Sequence, residues 1–143
     1  SKESEYVKTG QYQAVFLNNG QVYFGKVSAL NSRFVNLQNV YYLTQATTAN
    51  NQANSDYTLV KLGCQQIHYP EDQMVISRDQ VTFWENLDKD GKVAKSIEEF
   101  KKQNPNGEEC KQAATQTQSP ATNVPSQSGT PSTQSTQQNN SGN

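Results

Sequence analysis

A hairpin signal near the start of the chain constrains the fold more than any other feature of the sequence. Residues 11–17 alternate around Tyr12, Ala14 and Phe16, and the triplet Asn-Asn-Gly follows at 18–20. Alternation with a period of two is typical of a half-buried strand, and Asn-Gly favours a tight turn because both residues tolerate positive φ. Residues 21–28 and 34–43 continue in β-branched and aromatic residues. We therefore predict three consecutive strands over residues 11–43.

Shorter apolar runs follow the three strands. Residues 58–63, 74–76 and 81–85 each read as a short strand, whereas residues 45–57 are polar and are predicted to form a long mobile loop. After Leu87 the period changes, because Val93, Ile97 and Phe100 recur at helical spacing. The spacing predicts a short amphipathic helix over residues 91–103.

The ends of that helix carry their own signals. Asp88 or Asp90 is the predicted N-terminal cap, since an aspartate oxygen can accept from the free amides of the first turn. The Asn-Pro-Asn-Gly run at residues 104–107 ends the helix.

These elements together predict a mainly β fold. Five to six short strands with tight turns, followed by one short helix, favour a small, strongly bent antiparallel barrel with the helix over an open end or a sheet edge. A flat meander with the helix on one face is the main alternative.

The chain divides into three parts by composition. Residues 1–10 are polar and are predicted to be a flexible linker, and residues 11–103 form the barrel domain with its helix. Residues 104–143 are rich in Gln, Ser, Thr, Asn and Pro, with no charged or aromatic residue from 112 onward. Such a segment cannot bury enough apolar surface to offset its ordering entropy, so we predict a disordered tail.

Charge and cysteine content narrow the class of protein. The net charge of -1 gives no support for binding nucleic acid through bulk charge. The chain contains no run of 18 apolar residues that could span a membrane. Cys64 and Cys110 are too far apart for the paired spacing of a zinc site. They could form one disulfide in an oxidising compartment or remain two unpaired thiols, and the sequence leaves both open.

The densest group of ionisable residues is a candidate site for chemistry. His68, Glu71 and Asp72 lie close in sequence, and Arg78 is near. A histidine with carboxylates could act as an acid–base pair or hold a metal ion. Metal sites normally need three or four protein ligands, and the chain has one histidine. We therefore favour a hydrogen-bonded polar turn, and we predict no catalytic residue, no metal and no cofactor.

Residues 86–91 resemble half of a calcium-binding loop. Asn86, Asp88 and Asp90 supply oxygen atoms at the first, third and fifth positions, with Gly91 at the sixth. Ile97 stands at the twelfth position, where a bidentate glutamate is required. The pattern is thus a weak calcium site or, preferably, an Asx-rich turn that precedes the helix.

Adjacent aromatic residues suggest a binding surface. Neighbours in a strand point to opposite faces, so one member of each aromatic pair can fill the core while the other faces out. Tyr23, Tyr41 or Tyr42, and Trp84 are the candidates for an outward face that binds a peptide, glycan or protein. The alternative is that the helix and the long loop cover these side chains.

The meander also resembles the first motif of Sm-like barrels, a subset of SH3-like folds. The residues near the motif positions are Leu17, Gly20, Tyr23, Gly25, Val27, Leu30, Asn31, Phe34 and Asn36, with a weak echo of the second motif at 76–81. The resemblance implies a barrel, and it implies RNA binding as an alternative function. Asn31 replaces the commoner Asp, Asn36 is displaced by one, and Asp79 stands where Gly is expected. The displacement weakens the case for a nucleotide pocket.

A second resemblance covers residues 11–103. The sequence is similar to small membrane-anchored, exported proteins of candidate-phyla bacteria, through residues 12–17, 19–26, 59–63, 68, 70–72 and 83–87. It implies a single N-terminal membrane anchor that this sequence lacks and an exported domain without an assigned activity.

The function predicted from these observations is surface binding. We expect a non-enzymatic interaction module on the extracellular face of the cell envelope, with a protein or envelope component as partner. The alternatives are an Sm-like RNA-binding protein in the cytoplasm and a small hydrolase or metal-binding protein that uses His68 with Glu71 or Asp72.

Overall fold

The computed structural model describes residues 2–47, 50 and 53–106 of the chain. Within these residues it has six strands, two short 3-10 helices (η) and one α-helix. In chain order they are η1 (Glu3–Tyr6), β1 (Gln13–Leu17), β2 (Val22–Leu30), β3 (Phe34–Thr47), β4 (Ala53–Lys61), β5 (Gln73–Ser77), η2 (Arg78–Gln80), β6 (Val81–Asn86) and α1 (Lys92–Gln103).

All strand pairs form one antiparallel sheet. The order is β4-β3-β2-β1-β6, and β5 also pairs with β3. The prediction of a mainly β fold with one C-terminal helix is confirmed. The sheet is not closed, however, so the architecture shown is a single six-stranded antiparallel sheet rather than a barrel.

The β1–β2 hairpin forms where the sequence predicts it, but with a different turn. Gly20 takes a positive φ, 89°, whereas Asn19, which tolerates such a φ as well, does not. The amide of Gly20 donates to the Leu17 carbonyl at 2.9 Å, and the amide of Leu17 donates to the Gln21 carbonyl at 2.8 Å. The loop therefore has three residues and ends in a left-handed glycine, the second commonest hairpin type.

Strand β3 is the longest element and bends in its middle. Its first part, residues 34–38, pairs with β5, and its later part, from Tyr41, pairs with β4. Asn39, between the two parts, has φ 54°. An asparagine can adopt this left-handed conformation at low cost, and one such residue redirects the strand.

The polar stretch predicted as a long loop is mostly strand. β3 runs to Thr47 and β4 begins at Ala53, with Thr44 opposite Thr58 and Gln45 opposite Tyr57. Polar residues can sustain a two-stranded ladder outside the core because the backbone hydrogen bonds do not depend on side-chain polarity. Here the absence of apolar alternation was a misleading signal.

Buried side chains form two apolar clusters because consecutive strand residues point to opposite faces of the sheet. One contains Val15, Tyr23, Leu37, Val40, Tyr42, Val60, Cys64 and Ile76. The other contains Tyr12, Ala14, Val22, Phe24, Tyr41 and Ile97, with Val93 and Phe100 at its margin. Helix α1 supplies Ile97, Val93 and Phe100, so it covers the second face as its period predicts.

The start of that helix differs from the prediction. Gly91 is the N-cap residue, and no side chain caps it. Asp88 instead accepts a hydrogen bond from the amide of Asp90 at 2.8 Å. Its carboxylate is thus used in the preceding turn. Neither α1 nor any other helix in the described part of the chain is long and apolar enough to cross a membrane.

The segment predicted as a flexible linker is attached to the sheet. Residues 3–6 form η1, and the amide of Lys8 donates to Asn86 Oδ1 at 3.0 Å. The buried side chain of Gln13 donates to the carbonyl of Lys8 at 2.9 Å. At the other end, residues 107–143 of the predicted tail lie outside the described residues, so the disordered tail remains a prediction.

Gly25 tests the packing of β2 against β3. A Cβ at this position would lie 2.6 Å from the backbone oxygen of Gln38 and 2.8 Å from Cγ of Leu37. Because a backbone oxygen cannot move away cheaply, we expect Gly25→Ala to destabilise the fold by about 1–3 kcal/mol. The measurement is the midpoint of urea unfolding.

Gly10 provides the matched control for that substitution. A Cβ there would meet nothing within 4 Å. We expect Gly10→Ala to change stability by less than about 0.5 kcal/mol. Equal urea midpoints for the two variants would contradict the close approach of β2 and β3.

Candidate functional site

The predicted aromatic binding face is not exposed. Tyr23, Tyr41 and Tyr42 are all buried, and Trp84 is half-buried against the first cluster. The prediction that one member of each aromatic pair faces solvent was wrong for these three tyrosines, because both faces of the sheet are covered. Burial raises the pKa of Tyr42 to about 12, despite a hydrogen bond to Gln66 that lowers it. These hydroxyls belong to the core.

Gln66 is a buried polar residue that the sequence did not single out. Its Nε2 donates to the hydroxyl of Tyr42 at 2.8 Å, and its Oε1 accepts from the amide of Gly63 at 2.8 Å. The same residue accepts the amide of Tyr69 at its carbonyl. A buried glutamine is tolerated only when its groups are paired, so this residue fixes the loop between β4 and β5.

Asp72, from the predicted polar cluster, holds the bend in β3. Its Oδ1 accepts from the amide of Val40 at 2.8 Å and forms an ion pair with Lys61. Lys61 also donates to the carbonyl of Val40 at 3.0 Å, and only 14% of its side chain is exposed. Burial lowers the pKa of Lys61, and Asp72 opposes that shift. The carboxylate therefore serves the fold.

Arg78 lies in a different group of side chains. Its Nη2 donates to Oε2 of Glu3 at 2.6 Å, and its Nη1 donates to the carbonyl of Asn31 at 3.2 Å. Nε1 of Trp84 donates to the same Oε2 of Glu3 at 2.7 Å. We call Arg78 and Trp84 the carboxylate clamp, since two donors from η2 and β6 converge on one oxygen.

The other two members of the polar cluster lie at the surface. His68 and Glu71 are exposed in the loop before β5, and Tyr69 between them has φ 49°. Among the residues that the structure describes, no group of three His, Cys, Asp or Glu side chains could hold a metal ion. Within this part of the chain, the metal interpretation of the cluster thus gains no geometric support.

The first oxygen ligand of the possible calcium loop is engaged elsewhere. Asn86 Oδ1 accepts from the amide of Lys8 and from Nε2 of Gln13, while its Nδ2 donates to the carbonyl of Tyr6 at 3.0 Å. With Asp88 bonded to the Asp90 amide, these residues form an Asx-rich turn, the preferred one of the two predictions for residues 86–91.

Cys64 is buried in the first cluster and is disulfide-bonded. Cys110, the other cysteine of the sequence, lies outside the described residues. The pairing of the two cysteines therefore stays a prediction.

The most exposed aromatic contact in the sheet lies on β1 and β6. Phe16 and Phe83 are opposite each other in register, and their rings stack with centroids 4.2 Å apart and an interplanar angle of 18°. Phe83 is 46% exposed. Phe16 continues the face that α1 covers, so this pair extends the apolar face beyond the helix. The adjacent aromatic residues Phe83 and Trp84 indicated that one of the two side chains would be exposed. The sequence analysis predicted Trp84 as the exposed residue, whereas the structure exposes Phe83.

Strand β6 therefore presents different chemistry on its two faces. Phe83 stacks on Phe16 on the helix side, while Trp84 and Asn86 contact the 2–10 segment. β6 pairs with β1 alone among the strands described, so it is an edge of the sheet.

No protein-family model matches the chain, and no curated protein matches it.

Asp72 gives a direct test of the bend. Asp72→Ala leaves the amide of Val40 without its acceptor and the mostly buried Lys61 ammonium without its partner. We expect a loss of about 1–3 kcal/mol in the free energy of unfolding. Asp79→Ala is the control, because Asp79 is exposed and, among the described residues, the hydrogen bond from Asn18 goes to its backbone carbonyl and not to its carboxylate. Equal losses in urea unfolding would show that Asp72 has no special role.

Glu3 gives a pH-dependent test of the clamp. Hydrogen bonds from Arg78 and then Trp84 lower the pKa of Glu3 below its ordinary 4.5. The contribution of Glu3 to the stability of the folded state is therefore fully present above pH 4.5. It is lost as the pH falls through the lowered pKa of Glu3. Trp84 is the single tryptophan, so its fluorescence reports the change directly.

The controls for that titration come from the same segment. We expect the acid transition in fluorescence to disappear in Glu3→Ala and to persist in Glu5→Ala, since Glu5 is an exposed acid two residues away. A transition that survives Glu3→Ala would assign it to another carboxylate.

Proposed function

We propose that this protein is a non-enzymatic interaction module that binds a protein or another component of the cell envelope. The observation that carries the proposal is the exposed Phe83 on the edge strand β6, stacked on the half-buried Phe16 of β1. Aromatic side chains are enriched at binding surfaces because they bury a large area at low entropic cost. An edge strand beside them can also offer backbone groups to an extended partner segment.

The polar residues support binding rather than catalysis. Asp72 is committed to the bend of β3, Arg78 to Glu3 and Asn31, and Asn86 to the 2–10 segment. Each of these side chains makes contacts that a structural role explains. The binding proposal needs none of them to transfer a proton or bind a metal.

We propose an extracellular location at the cell envelope. The disulfide at Cys64 supports it, since disulfides persist mainly in oxidising compartments. An N-terminal membrane anchor belongs to the same proposal and rests on the resemblance to exported proteins of candidate-phyla bacteria.

We also propose that the scaffold is of the SH3-like and Sm-like kind. Its support is the strand path β5-β3-β2-β1-β6, whose two ends, β5 and β6, are joined by the three-residue η2. A short connection between the two outer strands brings them near each other, as a strongly bent sheet requires.

Phe83 tests the proposed binding surface. We expect Phe83→Ser to reduce binding of the purified protein to the envelope fraction of its source cells by about tenfold, because a central aromatic contact is typically worth about 1–2 kcal/mol or more. Binding is measured by co-sedimentation at several protein concentrations.

Tyr57→Ser is the matched control. Tyr57 is 45% exposed, nearly the same fraction as Phe83. It lies on β4, at the opposite end of the strand order from β6. We expect its binding to equal that of the unmodified protein, with both variants showing unchanged near-UV circular dichroism. Equal binding by all three proteins would refute the proposed surface.

A further inference from the structure

The two donors of the carboxylate clamp are held in place by the sheet and converge on one carboxylate oxygen. Arg78 is held from one side by the Asn31 carbonyl, which leaves its Nη2 directed at Glu3. Trp84 packs on the first cluster and adds a second donor to the same oxygen. A guanidinium and an indole N–H fixed in this way form charge-assisted hydrogen bonds that suit a carboxylate. The donors belong to η2 and β6, so the sheet itself positions them.

Asn86, two residues beyond Trp84, adds recognition of a peptide backbone. Its side-chain amide accepts from the amide of Lys8 and donates to the carbonyl of Tyr6, both at 3.0 Å. This paired contact binds the main chain and makes no use of the side chains of those residues. One face of β6 therefore reads an acidic side chain and, a few residues further on, a stretch of backbone.

The segment that occupies this face is held by few contacts. No residue of η1 is buried, and Tyr6 is 64% exposed. Val7 is half-buried, and the carbonyl of Lys8 accepts from the buried side chain of Gln13. The hydrogen bonds of the segment with the carboxylate clamp and Asn86, and the ion pair of Glu3 with Arg78, lie at the surface. Exposed polar contacts exchange readily with water, so a competing segment with the same groups can replace this one.

We propose that the carboxylate clamp and Asn86 form a binding site for an acidic peptide segment of a protein partner, and that residues 2–8 occupy it as an internal ligand. Glu3 takes the place of the partner's acidic side chain. The segment blocks the site until a partner displaces it. This inference concerns the face of β6 opposite Phe83 and does not rest on the function proposed above.

The test measures binding of a peptide to the full chain. The probe is a peptide of residues 2–8, KESEYVK, blocked at both termini so that only side chains carry charge. Its affinity is measured by calorimetry and by Trp84 fluorescence. Glu3→Ala removes the internal carboxylate, and Glu5→Ala makes the same change of charge in the same segment without touching the clamp.

We expect the peptide to bind Glu3→Ala at least about tenfold more tightly than the unmodified chain or Glu5→Ala, since the tethered Glu3 no longer competes. Arg78→Ala, added to Glu3→Ala, should reverse this gain. A probe peptide with Glu3→Gln should bind at least about tenfold more weakly than the parent peptide, because it lacks the charge.

A second variant controls for the possibility that Arg78→Ala does not fold. Arg78→Lys, added to Glu3→Ala, keeps the charge and the alkyl chain but loses the planar donors, and it should weaken peptide binding while unfolding stays cooperative. Phe83→Ser, added to Glu3→Ala, should leave peptide binding unchanged, which separates this site from the aromatic pair. Equal peptide affinities for Glu3→Ala and Glu5→Ala would overturn the proposal, as would full binding without Arg78.

Discussion

The bend of β3 at Asn39 is the constraint on which the rest of the structure depends. β3 pairs with β2 along one side and with β5 and then β4 along the other, so its direction sets that of three neighbours. A bulged strand leaves backbone groups without ladder partners. Here the carboxylate of Asp72 accepts from the amide of Val40. The carbonyl of Val40 accepts from the side chain of Lys61 and from the amide of Leu62. The bend is thus stabilised by residues from the end of β4 and the loop before β5.

A bent sheet in so short a chain buries both of its faces. The side chains on one face pack against one another in the first cluster, and α1 covers the other face. Adjacent aromatic residues such as Tyr41 and Tyr42 therefore belong to different clusters. This arrangement removes the tyrosines of β2 and β3 from the surface. An exposed aromatic side chain, Phe83, remains on β6, which is separated from β3 by two strands. Its position explains why Phe83 stays exposed while Tyr23 does not.

The sequence predicted those features that depend on neighbouring residues. The period-two pattern of β1, the glycine turn and the helical spacing of Val93, Ile97 and Phe100 are local, and each was found where it was predicted. The outer part of the β3–β4 hairpin was not predicted, because its polar residues show no alternation of apolar and polar side chains. The exposure of the tyrosines was misjudged for another reason: alternation tells which residues share a face, but not whether that face is covered.

The contacts of the candidate site could not be predicted from the sequence, because they join distant parts of the chain. Glu3 meets Arg78 and Trp84 across 75 and 81 positions, and Gln13 meets Asn86 across 73. Arg78, Trp84 and Asn86 were each predicted as site residues, but in three separate groups, and no motif links them to Glu3 or Gln13. A glutamine in a strand gives no sign that it will be buried.

An edge strand is normally a liability, because its free backbone groups invite pairing with other chains. On β6 one face is covered by polar contacts with residues 3–8, and the other carries an apolar aromatic pair. Polar contacts at a surface can be exchanged one for another, whereas exposed aromatic area gains free energy from any partner that covers it. The two faces therefore favour different properties in a partner. In the proposed functions, the clamp would select for charge and Asn86 for a peptide backbone, while the Phe16–Phe83 pair would contribute affinity with little selectivity. A partner that used both would have to pass around the free edge of β6, and an extended segment is the shape that can do so.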